Sequence, residues 1–383
     1  MSRVDVKEEV LLWAVDRSGK TLNDLQGKFP KIKEWATGES QPTLKQLESL
    51  AKTTMTPFGF FFLEKPPEER LTIPFFRTLG YGSLNKPSPD LIETIQMMQQ
   101  RQTWMREFLI DQGTDRLQFV RSVQIGEQPS SVAQRMRRVL GFDERSAAQQ
   151  PTWTKALMNL REAMEAVGIM VVVNGVVGNN THRNLDVSEF RGFVLVDEYA
   201  PLMFVNGADG KAAQMFTLAH ELAHIFFGSS AAFDLRKLQP ANDPTEKACN
   251  NIAAEFLVPE LQLRNIWPSV RESSDHFQAL ARYFKVSELV AARRALDLHL
   301  IGKNDFLEFY QAYLDKVHGV AKRGEGGDFY ATQNLRIGKL FASAVVRAVR
   351  EGKLLYHDAY HLTGLYGRAF EGYSESLGFG ASR

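Results

Sequence analysis

Residues 215–228 read MFTLAHELAHIFFG, an apolar stretch interrupted by two histidines and one glutamate. Each residue of an α-helix turns the chain by about 100 degrees, so His220 and His224 lie one turn apart on the same face. Glu221 falls within about the same arc. Apolar residues cover the remaining faces, and the pattern predicts a nearly buried helix over 209–227. Unpaired imidazoles and an unpaired carboxylate would be costly in such a helix.

A divalent metal ion removes this cost, because each imidazole can donate a nitrogen to zinc at about 2.0–2.1 Å. The spacing His-Glu-x-x-His is that of zinc-dependent peptidases, in which the glutamate faces the metal-bound water. The alternative is a surface helix with scattered polar residues, which the apolar flanks disfavour. We therefore predict a zinc site with His220 and His224 as ligands and Glu221 as the catalytic residue.

A catalytic zinc ion usually has three protein ligands, so a third is expected downstream. Three acidic residues are candidates: Asp243, Glu246 and Glu255. The last two are nine positions apart on one predicted helix and face opposite sides, so only one can face the metal. Glu246 shares its face with small residues, and we predict that it is the third ligand. The alternative is a capping box in which Asp243 is the N-cap and Glu246 the third helical residue.

Hydrophobic periodicity predicts an α+β fold. Three segments rich in β-branched and aromatic residues are predicted strands, at 168–175, 190–198 and 201–206. Three longer segments are predicted helices, at 90–112, 130–140 and 152–167. We predict an N-terminal helix-turn-helix bundle, a central zincin-like domain with a small sheet and the H-E-x-x-H helix, and a helical C-terminal region. The predicted boundaries are 1–63 for the bundle, 64–150 for a linker and helical region, 151–265 for the metallopeptidase domain, and 266–383 for the C-terminal region.

Composition favours an ordinary globular protein. The chain has 383 residues and a formal net charge of +1, so no global basic field attracts nucleic acid. Its single cysteine excludes internal disulfides and suits a reducing compartment. No apolar run reaches the length of about 18 residues that a membrane span needs. These observations predict a cytoplasmic protein without membrane contact.

The segments FTLAHELAHIFFG and EKACNNIAAEFLVP resemble the ImmA/IrrE family of bacterial metallopeptidases and stress regulators. The resemblance covers about 152–260 and implies that His220, Glu221, His224 and Glu246 occupy the family's metal-site positions. The matching framework residues are Phe216, Thr217, Asn250, Ala253, Ala254, Leu257 and Pro259. The departures are Cys249 in place of alanine, Ile252 in place of phenylalanine, and Met215 where a basic residue is common; none removes a ligand.

The chemistry implied is metal-assisted peptide hydrolysis. Zinc polarises the peptide carbonyl and lowers the pKa of its water towards about 7, while Glu221 takes a proton and passes it to the leaving amine. Zinc peptidases generally hold substrate at a sheet edge, which we expect 190–198 or 201–206 to supply. A further hydrogen-bond donor to the oxyanion is expected, and His182 and Tyr199 are both candidates.

Residues 6–53 resemble an XRE-type helix-turn-helix module, although the region before Gly38 is about four residues short at the start of the recognition helix. Residues 1–63 hold nine basic and eight acidic residues, so the module is nearly neutral. Lys28, Lys31 and Lys33 form its one small basic cluster. DNA binding through residues 6–53 and packing or partner contact by a degenerate bundle remain open alternatives. The apolar stretch FGFFFL, residues 58–63, is expected to pack between the helix-turn-helix and the next domain, and the alternative is an exposed partner site.

The C-terminal third is predicted to be helical after a Gly-rich break at 322–329. Its basic residues Lys339, Arg347, Arg350 and Lys353 favour a solvated face over a surface for nucleic acid or an acidic partner. No acidic partner completes a site with His357 and His361, so the sequence interpretation is that they are not ligands.

The order of the three regions resembles larger ImmA/IrrE members encoded beside toxin genes, which implies a toxin partner such as a PIN-like ribonuclease. The sequence thus predicts a regulatory zinc peptidase acting on a protein substrate in stress response or toxin-antitoxin regulation. The alternative is an antitoxin or transcription regulator that binds a toxin or DNA without proteolysis.

Overall fold

The computed structural model describes residues 3–69, 87–143, 145–229, 231–233, 243–317 and 328–379. The chain divides into two compact units. The first comprises Met1–Thr72 and Leu79–Gln96, and the second comprises Ile73–Thr78 and Met97–Arg383. Within the described ranges, no helix combines the length and the apolar character needed to cross a membrane.

The first unit contains short helices, as the sequence predicts for 6–53. They are α1 (Glu8–Arg17), α2 (Leu22–Gln26), α3 (Ile32–Ala36) and α4 (Leu44–Thr54), followed by a 3₁₀ helix at Phe58–Phe62. Capping boxes start α2 and α4: the side chains of Thr21 and Thr43 accept hydrogen bonds from the third helical residues, Asp24 and Gln46, whose side chains accept from the cap backbone in return. The helices are therefore fixed locally at their N-termini.

A single hydrophobic core holds these helices together. Its most deeply buried members include Leu11, Ile32, Trp35, Leu47 and Phe61. Within residues 58–63, Phe61 is buried in this core, whereas Phe62 keeps 52% of its surface exposed; packing of the stretch against the next domain stays a prediction. The 3₁₀ helix that follows α4 therefore contributes Phe61 to the core of the bundle.

The first helices of the second unit lie at the predicted positions. They are α5 (Pro89–Asp111), whose first turns fall in the first unit, α6 (Pro129–Val139) and α7 (Trp153–Ala166). Pro129 occupies the first turn of α6, where its missing N–H costs nothing, and the Thr152 side chain caps α7 by accepting from Lys155 N.

Six strands follow in the part of the chain that the structure describes, and three of them lie at predicted positions. They are β1 (Met170–Asn174), β2 (Val176–Val177), β3 (Asn180–Asn184), β4 (Gly192–Leu195), β5 (Leu202–Asn206) and β6 (Ala231–Phe233). β2 and β3 form an antiparallel hairpin, and the others form a sheet in the order β1-β5-β4-β6. β1 runs parallel to β5, and β4 runs antiparallel to both of its neighbours.

The sheet corrects one expectation about substrate binding. The sequence interpretation assigned the substrate edge to 190–198 or 201–206, but in the described sheet β5 lies between β1 and β4, and β4 lies between β5 and β6. The chain after the H-E-x-x-H helix returns to pair with β4, which removes that strand from the edge. The outer strands of the described sheet are β1 and β6.

Two helices beside this sheet carry the predicted metal ligands. α8 (Lys211–Phe227) ends at Gly228, which adopts the left-handed conformation with φ +81°. α9 (Pro244–Leu257) begins after Asp243, whose carboxylate accepts hydrogen bonds from Thr245 N and Glu246 N. The end of α8 agrees with the predicted bound at 227.

The rest of the second unit is helical, as predicted. It contains α10 (Glu260–Val270), α11 (His276–Phe284), α12 (Glu288–Asp297), α13 (Lys303–Val317), α14 (Phe329–Gln333), a π-helix at Asn334–Gly338, α15 (Lys339–Arg350), α16 (Tyr356–Thr363) and α17 (Arg368–Ser376). Most of the Gly-rich break at 322–329 lies outside the described residues. Lys339, Arg347, Arg350 and Lys353 are exposed, which agrees with a solvated face.

The C-terminal helices pack against the central sheet through the π-helix. Gly338, with φ +87°, lies so close to β1 that a Cβ atom there would stand 3.0 Å from the carbonyl oxygen of Val171. From α5, the buried Arg101 guanidinium donates to the carbonyl oxygens of Leu362 and Arg336 at 2.9 and 3.0 Å. The C-terminal region is therefore an integral part of the second unit.

Candidate metal centre

The central part of α8 is buried on every face. All residues from Gln214 to Phe226 are inaccessible or nearly so, including His220, Glu221 and His224 at 0%, 0% and 1% exposure. Apolar side chains on the other faces of the helix make this burial favourable, and they carry the three ionisable groups into the interior with them. The prediction of a buried polar stripe is confirmed.

Three of the predicted site residues converge on one point. The Nε2 atoms of His220 and His224 lie 3.0 Å apart, and the Glu246 carboxylate places Oε2 3.3 Å from the first and Oε1 3.1 Å from the second. Two ligand atoms about 2.1 Å from a tetrahedral zinc ion lie about 3.4 Å from each other. Two imidazole nitrogens and a carboxylate are donors that zinc prefers, so this group fits a divalent metal ion in both distance and chemistry.

The structure separates the three acidic candidates that the sequence left open. The Asp243 carboxylate caps α9 by accepting hydrogen bonds from two backbone N–H groups. The Glu246 side chain extends to the imidazoles and does not return to the backbone of Asp243, so the two residues do not form a capping box. Glu255, on the opposite side of α9, forms a buried ion pair with Arg294. Glu246 is thus the acidic residue that joins the two histidines.

Each of the two imidazoles also has a hydrogen-bond partner outside the metal-ligand group. Ser229 Oγ lies 3.0 Å from His224 Nδ1, and the Asn250 side chain forms a hydrogen bond with His220. Such partners fix the ring orientation and the tautomer of a metal ligand. Sequence reasoning named Asn250 only as framework and missed Ser229. The signal for Ser229 was present, because a left-handed Gly228 turns the chain back towards the last turn of α8.

Ionisation of the metal-free group already favours metal binding. Burial lowers the pKa of His220 to about 4, so its imidazole is neutral at physiological pH. Burial opposes ionisation of Glu246, but hydrogen bonds from His220 and His224 outweigh it and hold the pKa of Glu246 well below its usual range. Neutral imidazoles and an ionised carboxylate are the forms that bind a metal ion.

Glu221 differs from its neighbours because both of its carboxylate oxygens are buried without a hydrogen-bond partner among the described residues. Burial, reinforced by the nearby charge of Glu246, raises the pKa of Glu221 well above its ordinary value. The carboxylate approaches β4: a Cβ atom on Gly192 would stand 3.6 Å from Glu221 Oε1. A buried carboxyl with a raised pKa beside a metal-ligand group is a candidate general base.

The two candidate oxyanion donors are elsewhere engaged or exposed. The Tyr199 hydroxyl accepts a hydrogen bond from Arg116 Nε at 3.1 Å, and His182 is exposed on β3. The metal-ligand group in the described chain comprises His220, His224 and Glu246, and the oxyanion role of His182 or Tyr199 stays a prediction.

A buried His-Glu-x-x-His helix with a carboxylate from the next helix is the arrangement found in zinc-dependent peptidases. Comparison with protein families agrees: residues 164–296 match the IrrE N-terminal-like domain, a stretch that contains the sheet, α8 and α9. This match supports the ImmA/IrrE family for the central part of the chain. Residues 337–376 match a domain of unknown function, DUF8813. No curated protein gives a significant match.

Proposed function

We propose that the protein is a zinc-dependent peptidase of regulatory type that cleaves a specific protein substrate, in stress response or in regulation of a toxin. The observation that carries the proposal is the position of Glu221. Its carboxylate is buried, has no hydrogen-bond partner among the described residues, and adjoins two imidazoles and a carboxylate that fit a metal ion.

The roles of the residues follow from their positions. His220, His224 and Glu246 would hold the ion, with Ser229 orienting the second imidazole. A bound zinc ion supplies a Lewis acid for the peptide carbonyl and for the attacking water. Glu221 would accept a proton from the attacking water and later deliver it to the leaving amine. A cation held beside the buried Glu221 carboxylate would favour its ionised form, which is the form that accepts a proton.

One feature favours the alternative, a regulator that binds its partner without proteolysis. Glu221 has no exposed surface in the described structure, whereas a working general base must reach a water molecule and a substrate. In this alternative the fold serves recognition of a toxin, such as a PIN-like ribonuclease, and zinc serves stability. The two proposals share the metal site and differ only in whether Glu221 acts.

Glu221→Gln separates them, because it keeps the shape of the side chain and removes the base. We expect the variant to retain zinc and to lose cleavage, measured as the disappearance of new protein N-termini that appear when the wild-type protein is produced in cells. Glu260→Gln, an exposed glutamate paired with Arg264, is the matched control and should behave as wild type. Equal sets of N-termini with the wild type and Glu221→Gln would support the non-proteolytic alternative.

DNA contact through residues 6–53 is a separate proposal, supported by the exposure of Lys28, Lys31 and Lys33. Lys31 is already paired with Glu34, and Lys28 donates to Thr53, which reduces the charge available to phosphates. A footprint on the promoter of the protein's own gene at low salt tests this proposal. Absence of protection there would remove it without affecting the peptidase proposal.

A further inference from the structure

A second pair of histidines lies on α16, outside the site described above. His357 and His361 are one helical turn apart, and both are exposed, with 79% of the His357 side chain accessible to solvent. The sequence interpretation was that they are not ligands, because no acidic residue completes a site of the first kind. The structure adds how the two rings are oriented.

The two imidazoles face each other through their Nε2 atoms, as the imidazoles of the buried pair do. Their Nε2 atoms are 3.2 Å apart, compared with 3.0 Å for His220 and His224. Ligand atoms on one tetrahedral ion are separated by about 3.4 Å, so a single metal ion can contact both nitrogens with little movement of either ring. The positions i and i+4 on a helix make this arrangement accessible without backbone change.

An acidic side chain lies near the Nδ1 atom of one of the two rings. Asp358 Oδ1 is 3.5 Å from His357 Nδ1, the nitrogen that faces away from His361. A carboxylate near the second nitrogen of an imidazole favours the tautomer whose Nε2 lone pair is free for a metal. Both the orientation of the rings and this charge therefore favour a cation between the two Nε2 atoms.

We propose that His357 and His361 form a second, solvent-exposed site for a divalent transition-metal ion. Imidazole nitrogens select Zn²⁺, Ni²⁺ and Cu²⁺ over Mg²⁺ or Ca²⁺, which prefer oxygen ligands. Two protein ligands leave the remaining positions to water or to a donor from another molecule. The site is weaker than the buried one, which has three ligands and is shielded from solvent. This proposal does not depend on the proposed function.

The test uses the full-length chain without an affinity tag, carrying zinc at its buried site, and titrates it calorimetrically with NiCl₂. We expect one further ion to bind. His357→Ala and His361→Ala should each weaken binding by about a hundredfold, since losing either imidazole destroys the chelate. Both substitutions put a good helix former on an exposed helical face, and circular dichroism checks that the fold is kept.

His299→Asn is the matched control. His299 is also exposed, but it occupies a loop position with φ +57°, which asparagine tolerates. Its loss should leave nickel affinity unchanged. Unchanged affinity in either α16 variant, or an equal loss in His299→Asn, would overturn the proposal. It would then follow that the two exposed rings are joined only by a direct hydrogen bond.

Discussion

Replacing Gly192 by alanine perturbs the candidate site without touching a metal ligand. Gly192 is the first residue of β4, which lies next to α8. An added Cβ atom would stand 2.5 Å from Thr217 Cγ2 and 2.8 Å from the carbonyl oxygen of Phe204. Non-bonded carbon atoms prefer about 3.5–4.0 Å, so both contacts are strongly repulsive. The same atom would be 3.6 Å from Glu221 Oε1, an ordinary contact.

The magnitude depends on what can move. The Phe204 carbonyl belongs to β5, which pairs with β4, so relief of that contact requires β4 to shift against β5, and relief of the other contact requires the Thr217 side chain or α8 to move. Overpacking of this kind costs about 1–3 kcal/mol of unfolding free energy. Because Thr217 and Glu221 share one face of α8, we expect cleavage to fall more steeply than zinc affinity.

The assay compares urea unfolding, zinc affinity by chelator competition, and cleavage for Gly192→Ala and for Gly210→Ala. Gly210 precedes α8 in the same unit, and a Cβ atom there meets no heavy atom within 4 Å. The control should therefore lose less than about 1 kcal/mol. Wild-type stability and wild-type cleavage in Gly192→Ala would refute the inference that β4 and α8 approach each other as closely as the structure shows.

Three further changes have defined outcomes. Ser229→Ala should weaken zinc binding by about tenfold to a hundredfold because His224 loses its orienting partner, and unchanged affinity in chelator competition would contradict this role. Arg101→Met leaves two carbonyl groups of the C-terminal region unpaired and should lower the free energy of unfolding by about 1–3 kcal/mol, with faster hydrogen exchange in 337–376. Substitution of the more exposed Arg106 by methionine is the control. Equal effects of the two substitutions would contradict the reasoning. The folded pKa of His220, about 4, lies below the unfolded value of about 6.5, so its contribution to stability is present above pH 6.5 and is lost as the pH falls towards 4. The metal-free protein should thus lose about 2 kcal/mol through this group between pH 7 and pH 5, and His220→Gln, measured by urea unfolding, should lack that loss.

Helices and buried strands of this fold were predictable because their signals are local. The apolar periodicity of α5 and α7 gave their bounds within a residue or two, and the β-branched runs gave β1, β4 and β5. The strand β3, with the sequence NTHRN, has neither alternation nor apolar character, and its exposure in the structure explains why no pattern marks it. The three-residue β6 is too short to carry a pattern, and its pairing with β4 depends on the path of the chain after α8.

The convergence of the candidate metal ligands was also predictable, since the i, i+4 spacing on a helix fixes where two side chains lie. The choice of Glu246 over Glu255 rested on face and spacing, and the structure adds the reason: Glu255 is neutralised by Arg294. The role of Gly192 could not be predicted, because it depends on the distance between α8 and a strand that is remote from it in the sequence, whereas Ser229 follows Gly228 directly and could have been found from that glycine. Nothing in a single sequence reports that a β-strand passes within van der Waals distance of α8.

The central claim is that His220, His224 and Glu246 bind one zinc ion. X-ray absorption at the zinc edge, on the His357→Ala/His361→Ala background so that the exposed pair does not contribute, tests it most directly. We predict one tightly held zinc per chain, with two imidazole nitrogens and carboxylate oxygen in its first coordination sphere, and a much weaker site after Glu246→Gln. A chain that binds no zinc, or a coordination sphere without imidazole that is unchanged by Glu246→Gln, would contradict the account.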